Sequence, residues 1–185
     1  IIPFGIDSTI FKPMPKAQAR AELGLDPDKR LILFAWDPRR PVKRYPLAVS
    51  AVEKLKERLS DVEMVIVYKQ PRQVVAQYMA ACDVLILVSM TEGSPLAVRE
   101  ALACHLPVVA LDVGDIRSVV AGIDGCRITS QEPEAIADDL ELVLRDPQRL
   151  SAEDIPDTIS VRYGTERVLS VYRQMLHHAV EGEMA

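Results

Sequence analysis

Two acidic side chains, Glu92 and Glu100, flank a junction between a strand and a helix that the sequence predicts. The apolar run at 83–88 predicts a buried strand. Ser94 and Pro95 then predict a helix start, with a hydroxyl at the N-cap and proline at the first helical position. Open α/β sheets bind ligands where strands end and helices begin. Two carboxylates at such a place indicate a site for a ligand that carries hydroxyls and phosphates.

Each carboxylate also has a plainer interpretation. Glu100 lies on a predicted helix face of small apolar residues, where an unpaired charge is costly. It is a ligand-binding group, a surface carboxylate, or the partner of an arginine such as Arg99 or Arg117. Glu92 contacts a ligand, favours the positive end of the helix dipole, or does both. The start of this helix offers unbonded backbone N–H groups as an anion site, at Gly93, Ser94, Leu96 and Ala97.

A second candidate cluster is the basic loop after the first predicted strand, with Arg39, Arg40, Lys43 and Arg44 in six positions. Its prolines predict an extended, stiff loop. The chain as a whole has a net charge of −5, so the positive charge is local to this loop. Such local positive charge suits a diphosphate at the same sheet edge. The alternative is a solvated basic loop.

Strands and helices alternate along the chain. Strands are predicted at 31–36, 62–68, 84–88, 106–111 and 127–129. Helices are predicted at 15–24, 46–59, 73–81, 95–104, 116–120, 133–144 and about 158–180. Several strands lack polar alternation, which is typical of a parallel sheet covered on both faces. The expected fold class is α/β, a doubly wound, Rossmann-like parallel sheet with a long C-terminal helix.

Composition excludes several classes of protein. The acidic balance gives no support for nucleic-acid binding, and no run of about 18 apolar residues predicts a transmembrane segment. Three cysteines without C-x-x-C spacing favour reduced thiols, so we expect a cytoplasmic protein, with peripheral binding at the cytoplasmic membrane face left open. Asp26 and Asp28 form a D-x-D pattern before the first strand, where a turn is favoured over a metal site. The first strand is not followed by G-x-G-x-x-G, which argues against NAD.

Several motifs together resemble one family. Glu92 and Glu100, within Glu-Gly-Ser-Pro-Leu and Arg-Glu-Ala-Leu-Ala-Cys, resemble the E-x7-E signature of family 4 (group 1) glycosyltransferases of the GT-B fold. Segment 2–13 resembles the linker between that fold's two domains, 81–84 resembles a strand start, and 112–115 resembles a loop after the next strand. The resemblance covers about residues 1 to 145, with the motifs in the family's order.

The resemblance implies the C-terminal, donor-binding domain of a retaining enzyme that uses a nucleotide-diphosphate sugar, with no cofactor and no metal. It implies that Lys43 stabilises the departing diphosphate, that Glu92 contacts the transferred sugar and that Glu100 holds the ribose. Lys43 matches the family's lysine, whereas Arg44 replaces the glycine that usually follows and Arg39 lies one position from the usual arginine. The other donor-binding residues implied are Arg39, Val74, Gly93, Ser94, Pro95, Leu96 and Ala97, with Val74 in the turn that holds the base.

The expected organisation is a linker-like segment at 1–13, a nucleotide-sugar-binding domain at 14–150 and a helical segment at 151–185. An opening on linker-like sequence suggests a fragment, inactive alone, of a hexosyl-type transferase. An N-terminal domain would then supply the acceptor, which is a sugar, a lipid or a protein. The alternatives are a degenerate nucleotide-binding or scaffold module and a sugar-nucleotide epimerase of the same fold. A phospho-receiver needs an acidic pair after the first strand, where Asp37 stands alone.

Overall fold

The computed structural model describes residues 6–146, 150–153 and 165–182, with side chains of the last range at 169–177. Five strands form one parallel sheet, as the apolar runs predicted. They are β1 (Arg30–Phe34), β2 (Val62–Ile66), β3 (Val84–Leu87), β4 (Val108–Leu111) and β5 (Arg127–Thr129).

The helices are α1 (Lys16–Leu23), α2 (Tyr45–Lys56), α3 (Arg72–Ala81), α4 (Leu96–Ala103), α5 (Ile116–Val120), α6 (Pro133–Arg145) and α7 (Thr165–Gly182), of which α2 to α5 connect the strands. The predicted helices all appear, with ends that differ by at most three residues within 6–146. The predicted helix at about 158–180 is α7, and the part of that prediction at 158–164 lies outside the described residues.

Alternate residues of the central strands pack into two separate cores, one on each face of the sheet. In β1, Leu31 and Leu33 join the core under α3, α4 and α5, whereas Ile32 and Phe34 join the core under α2 and α6. All four residues of β3 are buried in the same alternating way. Because both faces are covered, the strands carry no polar alternation. The doubly wound prediction is therefore confirmed.

In the strand order β2-β1-β3-β4-β5, the chain passes from β1 outward to β2 on one side and from β3 outward to β4 on the other. The direction in which strands are added therefore changes between β1 and β3. The helices that follow these two strands, α2 and α4, therefore pack on opposite faces of the sheet and leave a crevice at its carboxyl edge. Open α/β sheets bind their ligands at such a switch point. Lys43 follows β1 and Glu92 follows β3, so the topology alone places both residues beside this crevice.

Two local predictions at this edge are wrong. Ser94 is not the N-cap of α4: the helix begins at Leu96, with Pro95 extended at the cap position and no side-chain capping bond. The basic loop is not extended, because Pro41–Lys43 forms a short 3-10 helix and Arg44 adopts a positive φ of 50°. Proline is compatible with the first position of such a helical turn.

The ends of the chain bear on the predicted division at 13 and 150. Ile6 and Phe11 are buried in the core on the α3 and α4 face, and so is Leu150.

On α7, Leu169, Tyr172 and Leu176 are exposed apolar side chains. Val161, another predicted apolar position, lies outside the described residues. Within the described part of the chain, every helix is too short or too polar to cross a membrane.

Candidate functional site

The loops after β1 and β3 meet through an ion pair between two predicted site residues. Lys43 Nζ lies 2.5 Å from Glu92 Oε1, and both side chains are largely buried. Lys43 also lies over the ring of Trp36, 5.1 Å from its centroid. The aromatic face and the carboxylate together hold the ammonium at the crevice. The prediction that these two residues share one edge of the sheet is therefore confirmed.

A backbone hydrogen bond ties the same two loops together. The N–H of Met90 donates to the carbonyl oxygen of Val42 at 2.8 Å. This bond fixes the residue before Lys43 against the strand end that leads to Glu92. The geometry of the ion pair therefore rests on backbone contacts as well as on flexible side chains.

The loop after β4 supports the Glu92 loop from the other side. Gly114 has a positive φ of 61°, and a Cβ atom at this position would lie 2.3 Å from the carbonyl oxygen of Gly93. The N–H of Asp115 donates to that same carbonyl at 3.1 Å. Glycine is required here because the two backbones are in direct contact.

Asp115 also organises the start of α4 through its side chain. Its Oδ2 accepts hydrogen bonds from the Ser94 hydroxyl at 2.8 Å and from Arg99 Nη2 at 2.6 Å. The Ser94 hydroxyl thus links Asp115 to Arg99, whose Nε lies 3.4 Å from Ser94 Oγ, and Pro95 takes the cap position of α4 instead of Ser94. These bonds also exclude Arg99 as the partner of Glu100. Sequence reasoning missed Asp115, although the motif at 112–115 lay within the resemblance.

Glu100 is buried, with 8% of its surface exposed, and it pairs with Arg72 of α3. Arg72 Nη2 lies 3.1 Å from Glu100 Oε1. The suggested partners were wrong, because Arg99 binds Asp115 and Arg117 binds Asp112. Burial raises the pKa of Glu100, and the positive charge of Arg72 acts in the opposite direction.

Arg39 contacts Asp37 and Tyr68. Its guanidinium binds both carboxylate oxygens of Asp37 and donates to the Tyr68 hydroxyl at 2.7 Å. These contacts hold the pKa of Asp37 well below its usual range, chiefly through the hydrogen bond from Arg39. Arg39 therefore bridges the loops after β1 and β2, and its predicted role with a donor stays a prediction.

The remaining predicted positions lie along the start of two helices. Within residues 6–146, the backbone N–H groups of Gly93, Ser94, Leu96 and Ala97 have no hydrogen-bond acceptor, and an anion site at a helix start requires such unbonded donors. Pro95 precedes them in an extended conformation. Val74 is half-buried in the first turn of α3, and its role at a base stays a prediction.

The D-x-D pattern forms a turn, as predicted. Asp26 Oδ1 accepts a hydrogen bond from the N–H of Asp28 at 2.8 Å. In the described part of the chain, no group of three or more His, Cys, Asp and Glu side chains is placed to hold a metal ion.

A parallel sheet with both faces covered and polar loops at its switch point defines a Rossmann-like domain of the GT-B type. The family model described as glycosyl transferases group 1 matches residues 30–146. The chain therefore belongs to the group 1 glycosyl transferases. All the strands and site loops described above fall within the matched range.

Two curated relatives are D-inositol 3-phosphate glycosyltransferases. The protein from Segniliparus rotundus is 28% identical over 182 residues, which cover 82% of this chain and 40% of the relative. The protein from Frankia alni is 30% identical over 181 residues, which cover 80% of this chain and 44% of the relative. The chain therefore spans less than half the length of these relatives.

Solved structures share the fold at low sequence identity. Sucrose-phosphate synthase from Thermosynechococcus elongatus has a TM-score of 0.75 at 22% identity and matches 98% of this chain and 52% of its own. The C-terminal domain of the group 1 glycosyl transferase LpcC from Francisella tularensis gives 0.71 at 17%, matching 87% of this chain and all of that domain. HepE from Anabaena, solved with UDP, gives 0.70 at 20%, matching 96% of this chain and 56% of its own.

Proposed function

We propose that this chain is the donor-binding domain of a glycosyltransferase that uses a nucleotide-diphosphate sugar. One observation carries the proposal: the Lys43–Glu92 pair and the unbonded N–H groups before and within the first turn of α4 meet at the β1/β3 switch point. An ammonium and several backbone donors suit a diphosphate. Neighbouring carboxylates suit hydroxyl groups, because each carboxylate oxygen accepts hydrogen bonds.

In this proposal the charges that develop during transfer determine the role of each residue. Breaking the bond between the sugar and the diphosphate leaves negative charge on the leaving phosphate oxygen. Lys43 and the α4 N–H groups stabilise that charge, an electrostatic contribution that usually dominates such catalysis. Glu92 contacts the transferred sugar and Glu100 the ribose, with retention of configuration, as the family resemblance implies. No metal is required in this scheme.

The nucleotide to test first follows from a structural neighbour. HepE from Anabaena was solved with UDP and also with UDP-glucose. The likeness to HepE concerns the fold, so UDP is a starting ligand for this chain and the base stays open. The acceptor is proposed to be a sugar, a lipid or a protein that binds another domain.

Isothermal titration calorimetry tests the proposal directly. The chain is titrated with UDP, GDP and ADP in the presence of EDTA, and with the matching nucleoside monophosphates as controls. We expect one diphosphate to bind, and its monophosphate to bind at least about tenfold more weakly, because the second phosphate adds a charge-assisted contact. Equal affinity for the monophosphate and the diphosphate, or no binding of any diphosphate, would contradict the proposal.

A further inference from the structure

Arg72 connects Glu100 to the segment that precedes β1. It is the first residue of α3, directly after the loop that follows β2. Its Nη2 lies 3.1 Å from Glu100 Oε1, and its guanidinium carbon lies 5.0 Å from the centre of the Phe11 ring. Phe11 is 2% exposed, so the ring is a fixed surface under the guanidinium.

The two members of this ion pair differ in accessibility. The Glu100 side chain is 11% exposed, whereas the Arg72 side chain is 54% exposed. Glu100 Oε2 accepts no hydrogen bond from the described residues. One carboxylate oxygen is therefore held by Arg72, and the other is left for a ligand.

From this geometry we infer that Arg72 is a positioning residue, which orients the Glu100 carboxylate for recognition of the ribose hydroxyls and makes discrimination against 2′-deoxynucleotides depend on it. The inference rests on the proposed function, because it concerns the nucleotide at that site. Arg72 carries out this role through Glu100 and does not need to contact the phosphates.

The chemistry of a hydroxyl explains why an arginine suits this position. A hydroxyl donates one hydrogen bond and accepts others, whereas a carboxylate alone accepts only. Arg72 binds Glu100 Oε1 and so fixes the plane of the carboxylate, which leaves Oε2 held in place to accept a hydrogen bond from a ribose hydroxyl. A 2′-deoxynucleotide lacks one of the hydroxyls that could donate to Oε2, so it gains less from this positioning.

Electrostatics gives Arg72 a second effect that an uncharged side chain would lack. Burial raises the pKa of Glu100, and Arg72 is the charged group that lowers it. Removing Arg72 should therefore raise the Glu100 pKa further. On acidification, Glu100 would then become protonated at a higher pH than in the unaltered chain. The nearby Asp7 also responds to Arg72, although its pKa is lowered chiefly by the hydrogen bond from Thr9.

The test compares the tightest-binding nucleoside diphosphate, UDP first, with its 2′-deoxy form. Calorimetry is run between pH 5 and pH 8 on the unaltered chain, Arg72→Ala, Arg72→Lys and Glu100→Gln. Arg145→Ala is the matched control, because Arg145 also pairs with a glutamate, Glu141, and is similarly exposed at 59%. Thermal melting of each variant shows whether it is folded, and Arg72→Gln replaces Arg72→Ala if that variant does not fold.

We expect Arg72→Ala to weaken binding of the ribonucleoside diphosphate by about 5- to 50-fold, as for loss of a charge-assisted contact. Binding of the 2′-deoxy form should weaken by less than about threefold. The ribonucleotide affinity of Arg72→Ala should fall, on acidification, at a higher pH than that of the unaltered chain. Arg72→Lys should recover part of the loss, and Arg145→Ala should match the unaltered chain.

Equal losses for the two sugars, or an unchanged pH profile, would overturn the inference and make Arg72 a phosphate contact or a structural residue. That outcome leaves the proposed function standing, because the unaltered chain still binds the diphosphate. If the unaltered chain binds no nucleoside diphosphate, the proposed function and the inference fail together.

Discussion

At the scale of single residues, Lys43 and Glu92 neutralise each other at the crevice. Their charged atoms are 2.5 Å apart and both side chains are largely shielded from water. A phosphate that approaches Lys43 therefore meets a carboxylate already in contact with the ammonium. The negative charges of the phosphate and of the Glu92 carboxylate would then be close together, and they repel strongly where solvent screening is weak. Glu92 should therefore oppose binding of a bare diphosphate, although it is proposed to contact the transferred sugar.

Glu92→Gln should bind UDP more tightly than the unaltered chain, by about 3- to 10-fold, because the substitution removes a negative charge beside the phosphate site. Calorimetry measures the change. Glu134→Gln is the control, since Glu134 also pairs with a lysine, Lys54, on the exposed surface between α2 and α6. A Glu92→Gln variant with weakened UDP binding would instead show that Glu92 serves to hold Lys43 in place.

The sequence predicted several candidate site residues but not their partners. Glu92, Glu100 and Lys43 were predictable because a strand end, a helix start and a basic loop mark one edge of the sheet. Arg72 was not predictable as the partner of Glu100, since nothing in the sequence shows that the first turn of α3 lies against α4. Asp115 was missed for the same reason, because its contact with Ser94 spans 21 residues.

At the scale of elements, the loop between β4 and α5 supports the site loop by backbone contact. Asp115 donates its N–H to the carbonyl of Gly93, and Gly114 leaves no room for a side chain there. The orientation of the Gly93 peptide is therefore set by a neighbouring loop. An N–H group that binds phosphate must be held in this way to bind without reorganisation.

Gly114→Ala should both destabilise the fold and weaken UDP binding. A Cβ atom would lie 2.3 Å from the Gly93 oxygen and 2.8 Å from the Glu92 oxygen, so the site loop must shift. We expect a loss of about 1–3 kcal/mol in the free energy of unfolding from strain at positive φ, with the displacement of the loop adding to it. Urea unfolding and calorimetry measure the two effects.

Gly122→Ala separates strain from displacement. Gly122 also has a positive φ, of 74°, but nothing lies within 4 Å of its added Cβ. This variant should lose stability through strain and keep its affinity for UDP. If the two variants bind UDP equally well, the contact between Gly114 and the Gly93 carbonyl does not shape the site.

Element prediction succeeded where packing and local signals agreed. β1, β3 and β4 are buried on both faces and appear in the sequence as apolar runs, whereas the edge strands β2 and β5, which were also predicted, are partly exposed. The prediction of Ser94 as the N-cap of α4 was wrong because the helix begins one residue later, with Pro95 at the cap position, and the Ser94 hydroxyl bonds to Asp115. The prediction of an extended basic loop was wrong because Pro41 begins a 3-10 turn, a conformation that proline's fixed φ also permits.

At the scale of the whole molecule, an acidic chain carries a concentrated group of cations at one edge. The net charge is −5, yet the loop after β1 supplies Arg39, Arg40, Lys43 and Arg44, and Arg72 follows β2. Asp37, Glu92 and Glu100 pair with three of these five cations, so the edge keeps a smaller positive excess, which still attracts an anionic ligand. UDP binding should therefore weaken as the salt concentration rises.

The chain spans less than half the length of the curated relatives described above, so we expect residues 1–185 to bind a donor without transferring its sugar. Transfer requires donor and acceptor to be held in register, which contributes up to about 7–11 kcal/mol. Incubation with radiolabelled UDP-sugars and a range of acceptors tests this. Transfer above the level of a Lys43→Ala, Glu100→Ala double variant would show that the chain is a self-sufficient enzyme.

The central claim is that Lys43 holds the diphosphate of a nucleotide at the β1/β3 switch point. The most direct measurement is the affinity of UDP, or of the tightest-binding nucleoside diphosphate, for Lys43→Ala in the presence of EDTA. Lys54→Ala serves as the control, because it also removes a lysine from an ion pair with a glutamate. Loss of a charge-assisted contact of roughly 1.5–3 kcal/mol predicts an affinity about 10- to 100-fold weaker for Lys43→Ala alone. Equal affinity of the unaltered chain and Lys43→Ala would contradict the account.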